Sequence, residues 1–348
     1  MRRLNVPPNP HAGAWHRRHP GWHRSGRRRL CACLVAGCAG LGLVAAPARA
    51  EAPPTATHAR LDCEQLGGAD ALAALALLPA PRIINLQGSV PIVTMEPFAR
   101  FLIGMGYPEA SLRDPRDGSL SMSSSTSSAK LAGIVAWHYE QTGLRPMLIG
   151  HSRGGMLVVR TLHELDGAFA DAIEVVDPQS DKPLSRTHIR DPYTGALQPV
   201  RGFRVAFGAA IATGALPRVL SGQWSMLPRL RQIPDTVSAF TGFTIAWDPI
   251  AGNFGAAEVY APMGSARVRN VLLPASTSHI GAPLMEHLAA DPVTRQVIHA
   301  WRPQDGAPVV TDPRIDGRNI GLAADLWFSI RRHWCLEGQR RMNAPGAG

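Results

Sequence analysis

The sequence predicts an α/β protein built on a mostly parallel, doubly wound sheet of about six strands. Three observations carry that expectation. From Arg82 to Leu273, short apolar β-like runs alternate with segments of helical periodicity, as strands joined by crossover helices require. Pro146 to Val159 reads as strand, sharp turn and helix, with Ser152 at the apex of the turn. The chain has 348 residues, 45% hydrophobic and 18% charged, enough for a sizeable core and too apolar for a disordered chain.

The net charge of +10 would suit a nucleic-acid partner if it were spread over the chain. It is not: residues 1–50 hold nine arginines and no acidic residue, which leaves 27 basic against 26 acidic residues in 51–348. The basicity belongs to a leader, and nucleic-acid binding is excluded as the main reading. Arg27-Arg28-Arg29 precedes an apolar run from Leu30 to Ala46, and Ala48-Arg49-Ala50 gives an A-x-A site before Glu51. This is the pattern of a secretory signal peptide. The run is short and Gly-rich for a membrane anchor. Ser25 to Leu30 loosely matches a twin-arginine signal. Val35-Ala36-Gly37-Cys38 matches a lipobox, which would lipidate Cys38, but the apolar run continues past it to the A-x-A site. The expected outcome is release into the periplasm or the medium. The division is then 1–50 leader, 51–80 N-terminal segment and 81–345 main domain. Beyond the leader only Cys63 and Cys335 remain, one near each end. In an oxidising compartment that pair reads as a disulfide joining the ends of the fold.

In chain order, residues 64–80 are Ala/Leu-rich and helical. Arg82 to Leu86 is a strand, followed by the turn Gln87-Gly88-Ser89. Glu96 to Met105 is a helix with Phe98, Phe101, Leu102 and Met105 on one face and Gly106 as its stop. A short strand is expected near Ser111–Arg113. The serine-rich patch Ser119 to Ser128 is a loop, with Ser127 or Ser128 as N-cap of a helix over Ala129–Gln141. After the strand and turn at Ser152, a helix covers Gly155–Leu165, and Ala172 to Val176 reads as the next buried strand. Residues 178–240 break the alternation and read as a cap or lid insertion. They contain a hairpin around Asp191–Gly195 and an amphipathic stretch, Leu216 to Leu230, bearing Trp224. Phe243 to Asp248 is a strand stopped by Pro249. Val268 to Leu273 is another, followed by Pro274 and a loop that contains His279. Helices follow at Leu284–Leu288, Pro292–Trp301 and Leu322–Trp334, the last ending near Cys335.

Gly150-His151-Ser152-Arg153-Gly154 matches G-x-S-x-G, the nucleophile elbow, in its strand–turn–helix setting. Downstream, Asp248 and His279 each follow a strand, in the order Ser, acid, His. On these residues the chain resembles the α/β-hydrolase superfamily, of the compact lipase/esterase type, over about Arg82 to Leu288. The resemblance implies Ser152 as nucleophile, His279 as base and Asp248 as the acid. Asp177, at the end of the preceding apolar run, is the alternative acid. It also implies an oxyanion hole made by the backbone amides of Ser89 and Arg153. The usual His-Gly of that first loop stands here as Gln87-Gly88, which a backbone donor tolerates. His287 and His299 fall inside helices, and His151 should point away from the serine as a structural residue. No Cys/His cluster has metal-ligand spacing and no G-x-G-x-x-G loop follows a strand, so no metal or cofactor is expected.

The implied activity is that of an exported serine hydrolase acting on small-molecule carboxylic esters, lipid-like ones included. An amidase or other acyl-transfer enzyme on the same triad is the first alternative. A catalytically silent, hydrolase-like periplasmic binding protein is the second. The ordered triad argues against the second, because a silent protein has no need of one.

Overall fold

Five strands pair in parallel and lie side by side in chain order: β1 (Ile83–Leu86), β2 (Met147–His151), β3 (Val205–Ile211), β4 (Val237–Ile245) and β5 (Arg267–Leu273). The computed structural model describes residues 61–89, 93–214, 224–255 and 259–344. The described residues belong to one compact unit, Ala52–Gly348. Every residue of β1, β2 and β3 is buried, as expected of a parallel sheet covered on both faces. Within them the side chains still alternate. Ile83, Met147, Ile149, Phe207 and Ile211 enter one apolar cluster. Ile84, Leu86, Leu148 and Ala210 enter the other.

Helices close both faces. The first cluster takes α2 (Glu96–Gly104) and the C-terminal elements α5 (Glu286–Ala290), α6 (Pro292–Ala300) and α7 (Ile320–Met342), with α1 (Ala69–Ala76) beneath. The second takes α3 (Ser128–Thr142) and α4 (Arg153–Leu165). Local signals set the helix ends. Ser127 accepts a hydrogen bond from the Lys130 amide at 3.2 Å to open α3, and Gly143 closes it at φ 70°.

One further pairing fixes the winding. Met122 forms a parallel bridge to Leu86 on the outer edge of β1. From β1 the chain therefore steps outward past α2, then returns across β1 to β2 with α3 on the opposite face. The winding direction reverses between β1 and β2. In open α/β sheets the crevice at the carboxyl ends of such a pair is where ligands bind. Gln87-Gly88-Ser89 and Ser152 lie at those two ends.

Several sequence expectations need correction. The strand expected at Ser111–Arg113 is a 3₁₀ turn, Glu109–Ser111. The apolar run Ala172–Val176 does not enter the sheet. It buries Ile173, Val175 and Val176 in the α3/α4 layer, and only Val176–Asp177 pairs, with Lys182–Pro183 in a two-stranded hairpin. Residues 178–240 are not one insertion, because they contain the central strand β3. The hairpin around Asp191–Gly195 does form, with His188–Arg190 against Leu197–Pro199. Met226, Leu230 and Ile233 pack into the second core cluster rather than forming a separate cap. Residues 215–223, the first part of the amphipathic stretch, lie outside the described residues, as does the leader with Cys38. Helix α7 does not end near Cys335 but runs on to Met342. Among the described residues, no helix is long and apolar enough to cross a membrane.

The C-terminal helix is tied to the rest of the fold twice. Cys63 and Cys335 form a disulfide with Cα atoms 5.5 Å apart. Two residues further along α7, Glu337 is 2% exposed and accepts hydrogen bonds from the Arg145 amide at 2.9 Å, Arg145 Nε at 2.8 Å and Arg340 Nη2 at 2.6 Å. Burial pushes its carboxyl up, but Arg340 and Arg145 outweigh that and hold it below its ordinary 4.5. This contribution is present above pH 4.5, the ordinary value, and is lost as the pH falls through the folded-state value. Glu337→Gln leaves two arginines facing a neutral partner. It is expected to lower stability by about 3–5 kcal/mol in urea unfolding at neutral pH, and by less at pH 3.

Candidate active site

Ser152 sits between β2 and α4 with φ 54° and ψ −119°. Only glycine adopts this region without strain, so a serine held here at the mouth of a crevice points to function. The turn is pinned from three sides. The Ser152 amide donates to the Ile211 carbonyl at 2.8 Å, its own carbonyl accepts from Thr213 Oγ1 at 2.9 Å, and the Met156 amide closes the first helical turn at 3.3 Å. The pattern's two glycines are required by close approach. A Cβ on Gly154 would overlap the Leu86 carbonyl oxygen, and one on Gly150 would overlap the Gly154 backbone.

Two loops bring the partners to this serine. The loop after β5 places His279 Nε2 3.1 Å from Ser152 Oγ. The segment after β4, through the short pairing Trp247–Asp248 with Asn253–Phe254, places Asp248 Oδ2 2.6 Å from His279 Nδ1. Asp248 is 2% exposed, and its Oδ1 accepts from the Ala251 amide at 3.0 Å. Burial pushes the Asp248 carboxyl up, yet the hydrogen bonds from His279 and Ala251 prevail and hold it below its ordinary value. It is therefore a carboxylate at neutral pH and accepts the Nδ1 proton. That leaves Nε2 as the lone-pair nitrogen facing the serine hydroxyl. The result is a continuous relay from carboxylate to imidazole to hydroxyl.

The other expected residues fall as follows. Arg153 is the first residue of α4, so its amide belongs to the unpaired N-terminal turn beside Ser152. Ser89 is exposed at the end of β1, and its neighbour Gly88 lies against the elbow. A Cβ on Gly88 would stand 3.5 Å from Ser152 Cβ. Asp177 does not fit as the acid. Its carboxylate is occupied by the Gln179 amide at 2.9 Å and the Ser180 hydroxyl at 2.8 Å, in the hairpin outside the main sheet. His299 accepts from the Trp327 indole at 3.0 Å and is structural. His287 lies 3.8 Å from Asp316.

His151 corrects the expectation in part. It is buried, but its Nε2 lies 2.8 Å from the backbone carbonyl of His279. Burial and the neighbouring His279 push its pKa down to about 4, so the ring is neutral at pH 7 and donates through Nε2–H. This bond ties the loop after β5 to the end of β2. His151→Ala removes this tie, and a misplacement of reacting groups by about 1 Å can cost about 10²-fold. Steady-state kinetics on an activated ester should show kcat falling by about 10–100-fold with KM little changed. Thr213 also escaped the sequence reading. No local pattern marks a threonine whose hydroxyl holds the Ser152 carbonyl.

Compared with known protein families and with curated proteins, the chain matches no family model and no curated sequence.

Proposed function

We propose that this chain is an exported serine hydrolase of the α/β-hydrolase fold that cleaves carboxylic esters. One observation carries the reading: the Asp248–His279–Ser152 relay, with contacts of 2.6 Å and 3.1 Å, at the carboxyl ends of strands β4, β5 and β2. The disulfide fits export into an oxidising compartment.

The chemistry follows from the atoms. A serine hydroxyl is a weak nucleophile at neutral pH. His279 Nε2 takes its proton as Oγ attacks the ester carbonyl carbon. Asp248 holds the imidazole in the reactive tautomer and offsets the positive charge it acquires. The carbonyl oxygen becomes an oxyanion, which the Arg153 and Ser89 amides receive, each donor contributing roughly 3–4 kcal/mol to the transition state. His279 then passes the proton to the departing alkoxide, leaving an acyl group on Ser152. Water attacks that ester by the same route, with His279 again as base.

The test is a matched pair of acyl donors, 4-nitrophenyl butyrate and 4-nitrobutyranilide. The expected result is rapid nitrophenolate release with nitroaniline release slower by about 10² or more in kcat/KM. Comparable rates on both would move the assignment to an amidase on the same triad.

A further inference from the structure

Beside the relay lies a second groove, of about 250 Å³. One wall is a stripe along the first two turns of α4: Arg153, Met156, Leu157 and Arg160, at the spacing that stacks side chains on one side of a helix, with Met156 and Leu157 buried in the second apolar cluster. The other is the unbroken hydroxyl run Ser124 to Ser128. We propose that this groove is an anion-recognition subsite of the reaction centre, and that the ester cleaved carries a carboxylate or phosphate near its scissile carbonyl. The proposal deepens the hydrolase reading and rests on it for the substrate's role, though not for anion binding itself.

The charge pattern selects the ligand. Among the described residues, the groove is lined by two guanidiniums and no carboxylate. Arg160 is partly committed, since its Nε donates to Ser128 Oγ at 3.1 Å and that hydroxyl donates to Glu164 at 2.7 Å. Lys130 nearby is paired with Asp181 at 2.6 Å. Among the described residues, the half-buried guanidinium of Arg153 has neither a carboxylate nor a hydrogen-bond acceptor. The hydroxyls of Ser125 and Thr126 likewise make no hydrogen bond there. Guanidinium and hydroxyl donors converging on one space match the acceptor oxygens of a carboxylate or phosphate. The N-termini of α3 and α4, beginning at Ser128 and Arg153, add their positive ends at the same place.

The groove is also wired to the reacting atoms. Arg153 directly follows the nucleophile. Ser124 donates to the Gly88 carbonyl at 3.1 Å, which fixes the serine run to the turn expected to bind the oxyanion. An acyl chain alone would find only Met156 and Leu157 as apolar lining. A substrate that places an anionic oxygen group here offers acceptors to the Arg153 guanidinium and to the Ser125 and Thr126 hydroxyls.

Two ester pairs and one binding measurement test this. The first pair compares mono-4-nitrophenyl glutarate with the similarly shaped neutral 4-nitrophenyl 5-methylhexanoate. The second compares dihexanoyl phosphatidate with dihexanoylglycerol. In at least one pair the charged ester should be preferred tenfold or more in kcat/KM. That preference should fall with added salt, collapse in Arg153→Gln and persist in Arg153→Lys. Because each comparison is a ratio within one variant, any effect on the Arg153 amide cancels. Independently, calorimetric titration of Ser152→Ala with glutarate and with inorganic phosphate should show saturable binding of at least one, weakened tenfold or more by adding Arg153→Gln. Turnover of neutral and charged esters at equal rates would overturn the subsite while leaving the hydrolase reading intact. Absence of anion binding to Ser152→Ala would overturn it whether or not any ester is cleaved. Anion binding without turnover would uphold the subsite and count against the hydrolase reading.

Discussion

Asp248→Asn is expected to lower kcat on an activated ester by about 10⁴-fold, whereas Asp177→Asn leaves it near wild type. The carboxamide is close in shape to the carboxylate, and the Ala251 amide can still hold its oxygen. What changes is the imidazole. With no carboxylate at 2.6 Å to accept the Nδ1 proton, His279 can reverse its tautomer and present N–H to Ser152. The base then has no lone pair for the serine proton, and the imidazolium that forms later lacks its counter-charge. Asp177 has no comparable influence, because its carboxylate serves only its own hairpin. Steady-state kinetics of the two variants check this. Loss of activity in Asp177→Asn with Asp248→Asn unaffected would mean that the relay is misassigned.

The second large effect concerns stability. Cys63–Cys335 closes a loop with a sequence separation of 272 residues. In the chain-entropy description such a long loop contributes about 5 kcal/mol at most. Both cysteines are buried, Cys335 completely, in the layer where α7 packs beneath the sheet. The Cys63→Ala/Cys335→Ala protein, or the reduced wild type, should therefore unfold at markedly lower urea. The expected loss is about 2–5 kcal/mol, with α7 and the 61–80 segment most exposed to proteolysis. The relay lies at the other end of the strands, so activity per folded molecule should persist.

The relay was legible in the sequence because each member sits where a strand stops, and stops are written locally. Ser152 is bracketed by glycines that a close turn demands, Asp248 is followed by Pro249, and His279 follows Pro274 in a polar loop. Strand β3 was not legible. Val205–Ile211 is rich in Ala and Gly, residues of low strand propensity. Being buried on both faces, it has no alternation to read. The small residues are there for packing: a Cβ on Gly208 would stand 3.0 Å from the Phe240 ring. The β-branched run ending at Val176 misled for the converse reason. It is apolar because it packs on α3, where a Cβ on Gly133 would overlap the Glu174 carbonyl, and not because it pairs in the sheet. His151 and Thr213 act through contacts that only the folded chain creates. The His151 bond to the His279 carbonyl spans 128 residues.

The central claim is that Ser152 is a nucleophile activated by His279 and Asp248. A fluorophosphonate probe, read by intact-protein mass, tests it most directly, because phosphonylation needs an activated serine and no knowledge of the natural substrate. The account predicts one equivalent of probe on the wild type, located on the peptide containing Ser152. It predicts none on Ser152→Ala, and labelling slowed by orders of magnitude in His279→Ala. A folded wild type that stays unlabelled, or a Ser152→Ala protein that still takes up the probe, would contradict it.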